Sequence, residues 1–262
     1  MHSFLDLDRY PLDQPESAEW QALVDRCRSD LAGNGMFNLD GLMDAQAANA
    51  AAQSLRPKFE TESFHHQREH NVYFTKTVPG LAEDHPALAR FRTSNHTLCA
   101  DQLAGTPIDD LYRWPEFALF LAACMNKPAL YIMADQLAGL NAMSYHEGQQ
   151  LNWHFDRSEF TTTMLMQAPQ IGGEFLYRTD LRSADNPNYD GVAKLLRGED
   201  AEMRSMSVSP GTINVFRGKN TPHRVAPVRG PDARVIAVFS YFEKPGVTFS
   251  DEERIGFYGR AA

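Results

Sequence analysis

From residue 129 to residue 242 the chain is cut into short stretches suited to extended backbone. Turn residues such as Gly172-Gly173 and Pro210-Gly211 separate them, with a signal roughly every 8–12 positions. Alternation or strand composition marks residues 129–134, 140–145, 151–155, 160–167, 174–177, 203–208, 212–216, 223–228 and 234–242. Many short strands joined by tight turns can bury their faces only as a sandwich or a barrel. The expectation is a mainly β fold with helices: a double-stranded β-helix, a jelly roll of the cupin type, buttressed by an N-terminal helical layer.

The first half reads differently. Trp20, Leu23, Val24, Cys27 and Leu31 recur at helical spacing between an N-capping Ser17 and the stop at Gly33 and Gly35. Residues 36–39 form a strand candidate, and Asp40 can cap an Ala-rich helix that ends near Leu55, before Pro57. Pro86 opens an expected helix with Leu88, Phe91, Asn95 and Leu98 on one side. Pro115 opens another, with Phe117, Phe120, Leu121 and Cys124 inward. Residues 71–75 look strand-like, whereas His65, His66 and His70 lie in a polar run that reads as a solvated loop. Residues 181–200 form a long polar loop with a turn of helix near 192–196, and a capped short helix begins at Asp251. The whole is expected to be one domain: 1–128 as mostly helical support and lid, 129–245 as the jelly-roll core and 246–262 as a tail.

Composition limits the partners. With 25 Lys+Arg against 34 Asp+Glu the formal charge is −9, and no basic run interrupts it, so neither nucleic acid nor an anionic membrane is expected. Three widely spaced cysteines without a C-x-x-C pair suit a reducing cytoplasm better than a disulfide framework. The first ten residues have no apolar core of a signal peptide, and no run approaches the length of a membrane span.

The chemistry gathers around Asn152-Trp153-His154-Phe155-Asp156. Two residues apart on extended backbone, His154 and Asp156 point to one side. Alone, the pair could be a structural hydrogen bond, but a second histidine would complete a two-His-one-carboxylate set with open positions, which suits non-haem Fe(II). His223 opens a later strand and supplies it, and Arg234 stands eleven residues on, after the Arg229-Gly230-Pro231 turn. A hairpin would then put His223 and Arg234 on neighbouring strands at one barrel mouth. A 2-oxo acid cosubstrate fits such a site, its distal carboxylate meeting the planar guanidinium fork of Arg234.

His154-x-Asp156…His223-x10-Arg234 resembles the iron(II)/2-oxoglutarate-dependent dioxygenases. Asn152 to Asp156, Gln167-Ala168-Pro169, Gly172-Gly173-Glu174-Phe175 and His223-Arg224-Val225 resemble the free amino-acid hydroxylases and radical halogenases often labelled ArpA-like. The resemblance covers residues 130–245 well and the remainder loosely. It implies Fe(II), 2-oxoglutarate and O2 as reactants, with succinate and CO2 as co-products. Halogenases of that group carry Gly or Ala where Asp156 stands, so the resemblance implies oxygen transfer and, by default, hydroxylation of a small polar metabolite such as an amino acid or a derivative. Desaturation, cyclisation or epimerisation by the same cofactors is the nearest alternative, and a non-catalytic cupin-type binding module the more distant one.

Relatives place Ser or Thr two residues after the arginine, where this chain has Ile236. Tyr145 and Thr163, on expected neighbouring strands, are the candidates to share the distal carboxylate with Arg234. In the lysine-chlorinating branch an acidic residue follows the ligand pair; here Arg157 stands there, which favours a substrate anion over an amine unless that arginine is simply solvated. Asn71 and Tyr73 could line a lid, and Asn152 adjoins the ligands. Phe257 and Tyr258 read first as packing, with Tyr258 kept as a substrate-side candidate.

Overall fold

The strand-rich half pairs as its alternation requires. In the computed structural model, which describes residues 3–262, the elements in chain order are α1 Ala18–Asn34, β1 Met36–Leu39, α2 Ala45–Thr61, β2 Phe64–His70, β3 Phe91–Leu98, α3 Pro107–Arg113, α4 Pro115–Cys124 and β4 Tyr131–Ile132. There follow β5 Leu140–Tyr145, β6 Leu151–His154, β7 Thr161–Gln167, β8 Ile171–Gly172, β9 Phe175–Tyr177, α5 Tyr189–Leu196 and β10 Arg204–Met206. The last are β11 Ile213–Phe216, β12 His223–Val225, β13 Val228–Arg229, β14 Arg234–Phe239, β15 Tyr241–Phe242 and α6 Asp251–Tyr258. A seven-stranded antiparallel sheet runs β1-β11-β7-β14-β5-β3-β2, and a four-stranded sheet runs β10-β9-β12-β6. The two sheets form the expected jelly roll.

The helices cover the outer face of the larger sheet. Ser17 Oγ accepts the Trp20 N–H to start α1, and Gly35, at φ 75°, ends it in the left-handed conformation that glycine adopts without strain. Phe120 of α4 meets Trp20 and Phe37 edge-on, with centroids 6.3 and 6.4 Å apart. Beneath the helices lie Met164, Met166, Ile213, Val215, Val235 and Ala237 of the sheet, all buried. The same strands turn their alternate side chains, Thr163, Asn214 and Arg234 among them, toward the smaller sheet.

Four local expectations are corrected. Helix α2 begins after Asp44, whose carboxylate accepts the Gln46 and Ala47 N–H groups, and it runs through Pro57 to Thr61. Packing of Ala48, Ala51, Ala52, Leu55 and Phe59 outweighs the one backbone hydrogen bond that Pro57 removes. The helix expected from Pro86 is a single 3-10 turn, Pro86–Leu88, followed by β3. Thr93, Asn95 and Thr97 are buried at a period of two, and β-branched threonine fits a pleated surface. The polar run at 64–70 is strand β2 at the edge of the large sheet, with His66, Arg68 and His70 turned inward and His65 and Gln67 outward. Residues 71–75 form a turn, because the Asn71 side chain accepts the Tyr73 and Thr75 N–H groups and donates to the Thr75 carbonyl. The first 128 residues thus contribute three strands to the main sheet as well as its helical cover. Among the described residues no helix is long and apolar enough to cross a membrane.

The C-terminal helix α6 is capped by a Ser250/Glu253 box and docked through Asp135. The buried Asp135 carboxylate accepts the Leu137, Ala138 and Phe249 N–H groups and the Arg254 Nε–H. Burial alone would raise its pKa, but these donors outweigh burial and hold it below the ordinary value. A depressed folded-state pKa contributes stability that is complete above the ordinary carboxylate value and is lost as pH falls through the folded one. Asp135→Asn should therefore cost about 2–3 kcal/mol in urea unfolding at neutral pH. The gap to wild type should close as pH is lowered below about 4; a pH-independent gap would refute the ionic anchor.

Candidate metal centre and its cavity

His154 and His223 are register partners on the antiparallel strands β6 and β12. Each ring binds a carbonyl two residues earlier through Nδ1: His154 to Asn152 at 2.8 Å and His223 to Thr221 at 3.0 Å. A carbonyl can only accept, so Nδ1 carries the proton in both rings and Nε2 is left with a lone pair when the ring is neutral. Both Nε2 atoms face Asp156, His154 at 3.3 Å from Oδ1 and His223 at 3.5 Å from Oδ2. One donor atom from each residue lies within 4.8 Å of the others, which makes this the one three-residue donor group of metal-binding spacing among the described residues.

The carboxylate is braced from behind. Strand β6 ends at His154, and Asp156 continues by donating its N–H to the Gly218 carbonyl at 3.0 Å. Thr161 Oγ1 donates to Asp156 Oδ2 at 2.5 Å. Gly218 leaves room for this arrangement: a Cβ there would lie 2.2 Å from Oδ2 and 2.6 Å from Thr161 Oγ1. Burial opposes ionisation of Asp156, yet the His223 and His154 imidazoles and the Thr161 hydroxyl hold its pKa well below the usual carboxylate range. Burial pushes His223 down to about 4 against the pull of Asp156. Near neutral pH the centre thus offers a neutral His223 and a carboxylate, the forms in which these groups ligate a metal.

Arg234 stands on the opposite sheet. The expected hairpin is corrected: β12 belongs to the four-stranded sheet and β14 to the seven-stranded one, and the chain crosses between them through β13. Both residues nevertheless line one cavity of about 1060 Å³. Arg234 is 4% exposed; its Nε donates to the Gly173 carbonyl at 3.0 Å, and its buried Nη1 has no protein partner. Gly173, at φ 69°, lets that carbonyl approach, since a Cβ would lie 3.0 Å from Arg234 Cδ. A buried guanidinium with an unmet donor calls for an anion. The two-His-one-carboxylate set fits Fe(II), and the Arg234 fork fits the distal carboxylate of 2-oxoglutarate.

Residues 21–249 match the model of a family described as Halogenase D. The chain belongs to the Halogenase D family. No curated protein matches it, but its fold recurs in solved structures. A prolyl-4-hydroxylase from Pseudomonas putida aligns over 85% of this chain and all of its own, with 14% identity and a TM-score of 0.53. The epimerase SnoN from nogalamycin biosynthesis aligns over 85% and 84%, with 12% identity and a TM-score of 0.57. HygX from Streptomyces hygroscopicus, solved with nickel and 2-oxoglutarate bound, aligns over 89% and 88%, with 13% identity and a TM-score of 0.51.

In this Halogenase D family member the secondary candidates separate. Tyr145 is the register partner of Arg234 on β5, and the guanidinium carbon lies 5.9 Å from its ring centroid. Thr163 lines the cavity but pairs with Val238, four residues along β14 from Arg234. At about 3.3 Å per residue that distance keeps its hydroxyl away from a carboxylate on the arginine. Arg157 is turned outward, its side chain 72% exposed and bound to Glu253 at 2.8 Å. Asn152 does not line the cavity: its side-chain oxygen accepts the Trp153 N–H and its carbonyl orients His154. Asn71, Tyr73 and Tyr258 all border the cavity. Asn71 shapes its own turn, while the hydroxyls of Tyr73 and Tyr258 donate to the Pro187 carbonyl and to Asn141 Oδ1.

His70, expected in solvent, is 5% exposed and its ring centroid lies 6.4 Å from that of His154. Both of its nitrogens are engaged, with the Asn71 carbonyl and Thr93 Oγ1, which leaves none for a metal. Sequence reasoning missed Thr161 and Gly218, the braces of Asp156; Gly218 was visible only as part of a turn. Gly218→Ala should displace the carboxylate and weaken Co(II) binding about 10–100-fold with the fold retained, as read by calorimetry and circular dichroism. Wild-type affinity in that variant would refute the brace.

Proposed function

We propose that this protein is an Fe(II)/2-oxoglutarate-dependent dioxygenase of the ArpA-like type, which hydroxylates a C–H bond of a small polar metabolite, an amino acid or its derivative. The observation that carries this reading is the convergence of His154, Asp156 and His223 in a cavity whose other wall holds the unpartnered edge of Arg234. When bound, iron with 2-oxoglutarate and O2 supplies the oxidising power, and the balanced reaction turns R–H into R–OH with release of succinate and CO2.

The chain's own residues supply position and protonation state. The Asn152 and Thr221 carbonyls fix both imidazoles with Nε2 inward, which aligns two nitrogen donors without a reorganisation cost at binding. Gly218 and Thr161 hold the Asp156 carboxylate at the third corner. Arg234, fixed by Gly173 and backed by the Tyr145 ring, orients a dicarboxylate by its far end. Burial of these groups limits water around the reacting centre. The family description raises halogen transfer as a second reading, and Asp156 opposes it by filling the corner that a halide would take.

Anaerobic Fe(II) plus 2-oxoglutarate should give a weak visible charge-transfer band that Asp156→Ala and His223→Ala each abolish. A screen of amino acids and acylated amino acids should then reveal succinate formation with a product heavier by one oxygen, the same in chloride and in bromide. Absence of the band in wild type would count against the cofactor assignment. A halogenated product would overturn hydroxylation, and a product lighter by two hydrogens would point to desaturation or ring closure.

A further inference from the structure

The chain is acidic, but its cavity is not. Besides Arg234 the lining includes Arg68, Lys76, Arg90, Arg157, Arg182 and Lys219, against the two carboxylates of Glu69 and Asp156. In the proposed holo state the charges of Fe(II) and Arg234 are balanced by Asp156 and dianionic 2-oxoglutarate. Arg157 is neutralised on the outside by Glu253. Neither Arg68 nor Arg182 has an ion-pair partner among the described residues; the Asp156 carboxylate acts on Arg182 at longer range, and no carboxylate acts on Arg68.

Arg68 is the more constrained of the two. It projects inward from β2 between His66 and His70, with its guanidinium carbon 4.5 Å from the Phe74 ring centroid and 5.7 Å from that of Phe257. Its buried Nε makes no hydrogen bond, and the charged neighbour that acts on it is another cation, Arg157. Aromatic faces stabilise a cation but satisfy none of its N–H donors, so the side chain is held in place with its Nε–H unmet. The holding loop is itself strained. Phe74 has φ 54°, a conformation that bulky residues rarely adopt, and strain of this kind concentrates at functional sites. The turn built on Asn71 sets the Phe74 ring 4.5 Å from His70 and 6.1 Å from the ligand His154, centroid to centroid. Arg68 therefore sits one aromatic ring away from the metal centre. Arg182 is a second cation near it, 3.8 Å from the Phe155 ring centroid with its Nε donating to the Lys219 carbonyl.

We propose that Arg68, framed by Phe74 and Phe257, binds an oxyanion of the organic substrate and makes the enzyme selective for anionic substrates. This rests on the dioxygenase reading above. It moves the substrate anion from Arg157, the neighbour of the ligands in sequence, to a residue that is their neighbour in space. A carboxylate and a phosphate monoester share the chemistry that such a planar fork recognises.

The test uses protein loaded anaerobically with Fe(II) and saturating 2-oxoglutarate, with the visible band as a check of loading. Phenylacetate, phenylacetamide and phenyl phosphate are titrated by calorimetry; the first two have nearly the same shape and differ in charge. At least one oxyanion should bind about tenfold or more tightly than the amide, and the tighter one identifies the source of the anion. Arg68→Gln should bring that ratio close to one while leaving the band unchanged, and Arg68→Lys should restore it in part. Equal binding of amide and acids, failure of all three to bind, or a ratio that survives Arg68→Gln would each overturn the proposal. If Arg68→Gln does not fold, the wild-type ratio decides alone. Loss of the band in wild type would instead defeat the dioxygenase reading.

Discussion

The antiparallel pairing of β6 with β12 is the constraint on which the site depends. It sets two imidazoles opposite each other on neighbouring strands, and the carbonyls of Asn152 and Thr221, each two residues earlier in the chain, fix both tautomers. The third donor follows from the end of β6, where Asp156 leaves the ladder and binds the backbone at Gly218. A one-residue slip of either strand would turn its histidine to the other face of the sheet. The metal-binding geometry and the small sheet's register are therefore one property of the chain.

Much of this was legible because strands translate spacing into direction. A His-x-Asp pair on extended backbone has few ways to point, and the alternating stretches after residue 129 appear nearly where the strands do. The errors have a physical pattern. Spacing between His223 and Arg234 says that two strands follow each other, not which sheet each joins, and the two-residue strand β13 redirects the chain between layers. β2 and β3 were obscured because their inner faces line a cavity rather than a core, so His66, Arg68, Asn95 and Thr97 break the apolar alternation that usually reveals a strand. Pro57 misled for the converse reason, since the buried stripe of α2 outweighs its local penalty.

The braces and the substrate side were the least legible. Gly218 meets Asp156 across 62 positions of sequence, and nothing in its neighbourhood distinguishes it from an ordinary turn glycine. Arg157 drew attention through adjacency to a ligand, yet a side chain following a strand end is free to turn outward, and it does so toward Glu253. Arg68 and Arg182, two of the cations that line the cavity, come from the edge strand β2 and from a polar loop. Net charge hides this, because the acidic residues that outnumber Lys and Arg lie almost entirely outside the cavity.

The division of labour between the sheets has a mechanical consequence. The proposed metal donors His154 and His223 belong to the four-stranded layer and the proposed carboxylate anchor Arg234 to the seven-stranded layer, so a cosubstrate held at both ends would be a cross-brace between the layers. Ligand binding would then add to conformational stability by mass action. Substitutions in the helical cover, remote from every donor atom, can change catalytic alignment by altering the spacing that this brace must span.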